Sequence, residues 1–268
     1  MKKIGMAMAM FAFFATLAHA EDYISPTEER VRLSLGVIRT STTTDLQVNS
    51  SAGVAGTPIN AEDQFGLAKN DYEPKFQAMV RVQERHRLRF DFFQLDRDGS
   101  TRVTQPIIFR DVLLQPGDPL NSNLSLSTFG ITYEYSFFHN EKYEVAATIG
   151  VTETDISARA RVTTQARHID QTEDQAGPFP TAGLDATYVL SKRWYLDGRA
   201  EYMHLSYNNL AGSLGYGEFD VLYRLRANIA FALGYNIVRA NLDSTQAKQG
   251  GYFNFTSKGP EFYVRVAF

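Results

Sequence analysis

The chain contains no cysteine. That excludes disulfides, thiolate metal sites, a cysteine nucleophile and a lipid-modified cysteine anchor. A single Trp stands against 14 Tyr and 19 Phe. Neither sign of charge dominates, with 27 basic and 30 acidic residues in 268, so the concentrated basic footprint of a nucleic-acid-binding protein is missing. Beyond the first twenty residues no run approaches 18 apolar residues, and a membrane-spanning helix is excluded. There is no Gly-rich phosphate loop, no His-Glu-x-x-His, no Gly-x-Ser-x-Gly and no Ca²⁺ loop. No metal or cofactor is expected.

What is there begins with Lys2 and Lys3, a 14-residue apolar stretch from Ile4 to Leu17, and the small-x-small triplet Ala18-His19-Ala20. This is the pattern of a secretory signal peptide over residues 1–20, cleaved before Glu21. Residues 21–268 are then expected to form one exported domain.

The dominant signal in that domain is period-two alternation, the mark of strands with two unlike faces. It occurs ten times, over 31–37, 75–82, 88–93, 129–137, 143–151, 182–190, 194–202, 219–225, 229–237 and 262–268. Short connections near 84–86, 138–142, 191–193 and 226–228 alternate with longer ones near 49–72, 97–120, 160–176, 207–213 and 243–251. All short turns therefore fall at one end. This predicts an all-β, transmembrane, up-and-down antiparallel barrel of ten strands, with eight or twelve as neighbours. Leu124 and Leu126 fall out of phase with Phe129 to Phe137, the kind of slip in which a bulge hides.

One face of each strand is apolar and free of charge. Phe137, Tyr143, Tyr188, Trp194, Tyr223 and Phe268 lie toward its short-turn end, and Phe76, Phe92, Phe129, Tyr202, Phe219, Tyr235 and Phe262 toward the other. Two aromatic rings around an aliphatic band form an interfacial girdle. On these residues the chain resembles the outer-membrane β-barrel superfamily of Gram-negative bacteria, the small porin-like barrels, along its whole exported length. The terminal strand Phe262, Val264, Val266, Phe268 carries the resemblance furthest. In that superfamily such a strand is the recognition signal for the barrel assembly machinery. The resemblance implies residence in the outer membrane among lipid and lipopolysaccharide.

The opposite face holds basic Arg32, Lys75, Arg81, Arg89, Arg199, Arg224 and Arg265 and acidic Asp91, Glu134, Glu144, Asp185, Asp197, Glu201, Asp220 and Glu261. Such charges belong in the lumen, either as a salt-bridged plug or as the wall of a narrow polar pore. Balanced signs argue against strong ion selectivity. The expected function is non-enzymatic: passive passage of small polar solutes, or a structural barrel whose loops bind something outside. Loop two holds Ile107-Ile108-Phe109 and Val112-Leu113-Leu114 around Arg110-Asp111, ended by Pro116-Gly117, and is expected to form a hairpin. Outer-end Arg102, Arg110, Arg159, Arg161, Arg167 and Arg239 are candidates for lipopolysaccharide phosphates.

Two enzyme classes are alternatives. His204-Leu205-Ser206 with Glu218 resembles a lipid A deacylase, implying Ser206 as nucleophile, His204 as base and Glu218 as its orienting partner. Tyr207 departs from that class, which places Asn directly after the Ser. Asp96-Arg97-Asp98 with His204 resembles the omptin protease class more weakly, because Tyr202 stands where an Asp is expected. The same Asp-rich triplet also suits an ordinary turn, and His168-Ile169-Asp170 has the reversed order.

Overall fold

The computed structural model describes residues 23–163, 168–207, 209–246 and 250–268. The signal-peptide reading of 1–20, and Arg167, lie outside the described residues. Ten long strands form the wall: β1 (Val31–Val48), β3 (Asn70–Gln83), β4 (His86–Arg102), β7 (Pro119–His139), β8 (Tyr143–Thr163), β9 (His168–Val189), β10 (Trp194–Tyr207), β11 (Leu210–Arg226), β12 (Ile229–Ser244) and β13 (Gly251–Ala267). Each pairs antiparallel with the next, and β13 returns to β1 to close the ring. Closure leaves no free edge, the condition for a sheet to cross a bilayer. Four short pieces sit at the outer end: β2 (Ile59–Asn60), the helical turn α1 (Ala61–Gln64), and the hairpin β5 (Ile107–Phe109) with β6 (Val112–Leu114).

Alternation sets the two faces. In the lower part of the barrel, aliphatic and aromatic side chains point outward; Ile149 and Leu233 are each 64% exposed. Leaving such residues bare to water would be costly, and contact with lipid removes that cost. Tyr143, Tyr188 and Trp194 stand at the short-turn end of this band, and Phe129, Tyr202, Tyr235 and Phe262 at the other.

The strands do not stop at the outer girdle. The stretches 160–176 and 207–213 are largely strand rather than loop, and most of 97–120 and part of 243–251 are too. They are polar because their outward residues meet water. Asp96-Arg97-Asp98 is likewise mid-strand in β4, not a turn. No bulge explains Leu124 and Leu126, since β7 pairs in unbroken register with β4 from Pro119 to Tyr135. Both leucines face inward, as do Thr132 and Glu134 further down the same strand. The solvent has inverted, not the register: below the girdle the polar face is inside, and above it the apolar face is. The bulge in β7 lies instead between Ser136 and Phe138.

Above the girdle, then, the barrel holds an ordinary hydrophobic core. Ile107, Phe109 and Leu114 of the β5–β6 hairpin fold over the mouth onto Ile59, Phe65, Leu120 and Val162. Phe65 meets Phe109 edge-on, with ring centroids 5.7 Å apart. Arg110 turns the hairpin at φ 52°. The strap carrying α1 is pinned from below: buried Arg97 donates to Glu62, to Thr44 Oγ1 at 3.0 Å and to the Ala68 carbonyl at 2.8 Å. Gly99 admits the strap, because a Cβ there would stand 2.6 Å from the Gly66 backbone.

Candidate functional site

Inside the membrane band the lumen is filled by charge. Every lumen residue named from alternation faces inward, and the ion pairs both run along the wall between neighbouring strands and cross the lumen between distant ones. Lys75 of β3 donates to Glu218 of β11 at 2.8 Å and Glu261 of β13 at 2.9 Å. Arg199 of β10 reaches Asp91 of β4 at 3.0 Å and Glu218 at 2.8 Å. Arg265 of β13 pairs with Asp197 of β10. Arg89 of β4 holds Glu134 and, across the lumen, Glu201 of β10. Arg81 crosses from β3 to Glu144 of β8 at 2.8 Å.

Two charges missed from sequence complete the plug. Arg87 is in phase with Arg89 but precedes the clear part of the alternation. It holds Glu134 at 2.9 Å, Glu144 at 3.0 Å and Asp185 at 2.8 Å. Glu29 precedes the first strand and had no pattern to mark it. It is buried at the short-turn mouth, bound by Arg32 at 2.8 Å and Arg224 at 2.7 Å. Around it Ser25 and Thr27 are buried too, and His139 Nε2 donates to the Thr27 carbonyl at 2.9 Å. The segment before β1 thus stops the inner mouth.

Each of these carboxylates and guanidiniums would be expensive alone in low dielectric, and each is tolerated because it is paired. Glu218, Asp220 and Glu261 bring ligand oxygens within 4.8 Å of one another. That spacing would admit a cation, but the Lys75 ammonium already bridges Glu218 and Glu261, and Tyr263 donates to Asp220 at 2.7 Å.

Above the plug the chemistry changes. A cavity of about 160 Å³ has Asp91, Lys75 and Arg199 in its floor and Leu126, Ile156, Met203, Leu214, Val238, Ala240 and Phe255 in its walls. It shares Ile156, Leu242 and Phe253 with a second cavity of about 390 Å³, lined by Leu46, Phe65, Phe109, Leu124, Ala158 and Tyr252 and rimmed by Gln246 and Gly250. The inward leucines of β7 that looked out of phase are part of this lining.

Neither enzyme constellation is assembled. His204 and Ser206 point outward from β10 and are exposed, whereas Glu218 lies in the lumen bound to Lys75 and Arg199. Five register steps along β10–β11, and the barrel wall itself, separate the base from its orienting partner. Asp96 and Asp98 face outward from β4, where Ser125 Oγ donates to Asp96 and Asn123 Nδ2 to Asp98. Strands β7, β8 and β9 stand between them and β10, so His204 does not meet them. Asp170 accepts from Arg159 at 2.7 Å and Arg161 at 3.1 Å on the outer wall.

No family model and no curated protein matches this chain. Among solved structures, the outer membrane protease OmpT of Escherichia coli superposes with a TM-score of 0.59 at 11% identity, over 93% of this chain and 100% of that one. The fold is that of an outer-membrane β-barrel. The likeness carries the fold alone. The Pseudomonas putida toluene transporter TodX (TM-score 0.37, 9% identity, 95% of this chain and 92% of that one) and Ail of Yersinia pestis (0.39, 9%, 88% and 99%) are more distant.

Proposed function

We propose that the protein resides in the outer membrane as a closed barrel that binds a small apolar molecule from the external side. The observation that carries this is a pair of neighbouring apolar cavities, with Ile156, Leu242 and Phe253 in the lining of both, above a cross-linked polar plug. The cross-lumen pairs leave little room for the passive passage of polar solutes that the alternation alone allowed. An engineered apolar cavity of about 150 Å³ takes up benzene, and ligand pockets run from about 300 to 1,000 Å³. The two neighbouring cavities, about 160 and 390 Å³, suit a ring system or an acyl chain. The charged floor would face whatever polar group such a ligand carries. The strand ending Phe262, Val264 and Val266, all outward on β13, would serve assembly.

Two measurements on the refolded protein test this. In a planar bilayer it should give no discrete conductance steps. Native mass spectrometry with dodecanoic acid as probe should count one bound molecule per barrel, and Ala240→Phe, which fills the chamber, should remove it. Reproducible steps from a heat-modifiable, folded barrel would restore the pore reading. Equal probe binding by Ala240→Phe would place the ligand elsewhere.

A further inference from the structure

The outer surface just beyond the girdle is electrically lopsided. Arg39 of β1, Lys258 of β13 and Arg239 of β12 all point outward and are exposed. The register ties them together. Lys258 stands opposite Ser41 of β1 and Ile237 of β12. Arg39 and Arg239 are two residues from those partners, so each is a diagonal neighbour of Lys258, roughly 7–8 Å away. Lys258 lies four residues outward of Phe262, and Arg239 four outward of Tyr235. Four residues of a tilted strand raise them about 10 Å above the aromatic ring. Long Arg and Lys side chains reach back from there into the headgroup layer.

Among the described residues none of the three makes an ion pair or a side-chain hydrogen bond. Their lateral neighbours are Tyr72, Ser41, Thr256, Ile237 and Gly215, with no acid among them. At the same height on β4 and β8, the outward residues are instead Asp96, Asp98, Glu153 and Asp155. Among the described residues, only Arg239 of the outer-end arginines singled out from sequence lies at this depth. Arg159 and Arg161 are further out and share Asp170.

We infer that Arg39, Lys258 and Arg239 form a clamp for the phosphates of an outer-leaflet lipid, a bis-phosphorylated lipid A headgroup, on the β12–β13–β1 face. Three cations spaced over two diagonals match a divided anion better than a point charge. The two guanidiniums provide forked donors for phosphate oxygens. The aliphatic and aromatic band directly below, with Phe231 stacked on Phe262 at 6.1 Å, gives the acyl chains a surface. The acidic face opposite would repel the same headgroup, so one lipid position is selected around the barrel.

The test uses the full-length barrel in detergent, wild type beside R39Q/R239Q/K258Q, with heat-modifiable gel migration to confirm folding. Native mass spectrometry titrates bis-phosphorylated lipid A, its dephosphorylated form and inorganic phosphate. Wild type should bind the bis-phosphorylated lipid at least tenfold more tightly than the triple variant and than it binds the dephosphorylated lipid. D96N/D155N, a change on the opposite face, should bind no more weakly than wild type. Equal lipid A retention by the triple variant would overturn the clamp. Equal binding of the dephosphorylated lipid would reduce the contact to the apolar band. Saturation by inorganic phosphate at the same concentrations would make the site one for a free anion.

Discussion

Two regions share the same ten strands and invert each other. In the membrane band Ile149 and Leu233 face out and Arg87, Glu134 and Glu144 are buried. In the cup above, Leu120, Leu124 and Val162 are buried while Asn121, Asn123 and Ser157 face out. Along β4, β7 and β8 the chain does not change secondary structure, register or phase at the boundary. Only the surroundings change, from lipid outside and paired charge inside to water outside and hydrocarbon inside. Period-two alternation alone fixes where side chains point, and the solvent on each side fixes what they must be.

The largest effect should come from breaking the plug. Arg87→Met leaves Glu134, Glu144 and Asp185 short of a cation in a buried site. Removing one partner of a buried pair typically costs about 3–5 kcal/mol. Urea unfolding in lipid vesicles should show that loss. A loss below about 1 kcal/mol, the range of solvent-exposed pairs, would mean that water reaches the network and the plug is not dry.

Next come two outward positions eight residues apart on β8. Ile149→Arg puts a cation at mid-depth on the lipid face and should cost about 2–4 kcal/mol. Ser157→Arg puts the same side chain on the cup's wet wall and should stay within about 0.5 kcal/mol. Equal costs in the same unfolding assay would remove the boundary between the two regions.

These contrasts also show what the sequence made legible. Where strand and solvent agree along a whole segment, as in 143–151 or 229–237, alternation alone located the strand, its faces and the lumen residues. It failed where solvent switched within a strand. Polar outward residues above the girdle looked like loops, and Leu124 and Leu126 looked like a slip, because a single pattern was being read through two environments. The apolar chamber stayed hidden for the same reason: its lining lies in segments whose outward residues announce water. Arg97 was masked by the two aspartates beside it, which favour a turn locally but in β4 merely alternate with it. Glu29 had no periodic neighbours at all, and only the folded contacts with Arg32 and Arg224 reveal it. The ion pairs across the lumen depend on which strands face each other, which no local pattern contains.

The smallest effect concerns charge in the cup, where pairs stay open to solvent. The Asp170 carboxyl is held down to about 2, first by the hydrogen bond from Arg159 and then by Arg161. A folded-state value below the ordinary 3.8 means that the contact stabilises the fold above that ordinary value. The contribution is lost as pH falls through about 2, and nothing changes between pH 5 and 8. Carboxyl-carbon NMR of aspartate-labelled barrel should therefore find the Asp170 midpoint near 2, and Arg159→Gln should raise it. Because both partners are exposed, 1 M salt should raise it as well, the Debye length there being about 3 Å. Global stability should hardly move in either case, as expected of surface pairs. A wild-type midpoint near 3.8 would mean that the Arg159–Asp170–Arg161 contact does not persist in solution, and the cup's outer wall would then differ from the plug in having no fixed ion pairs at that position.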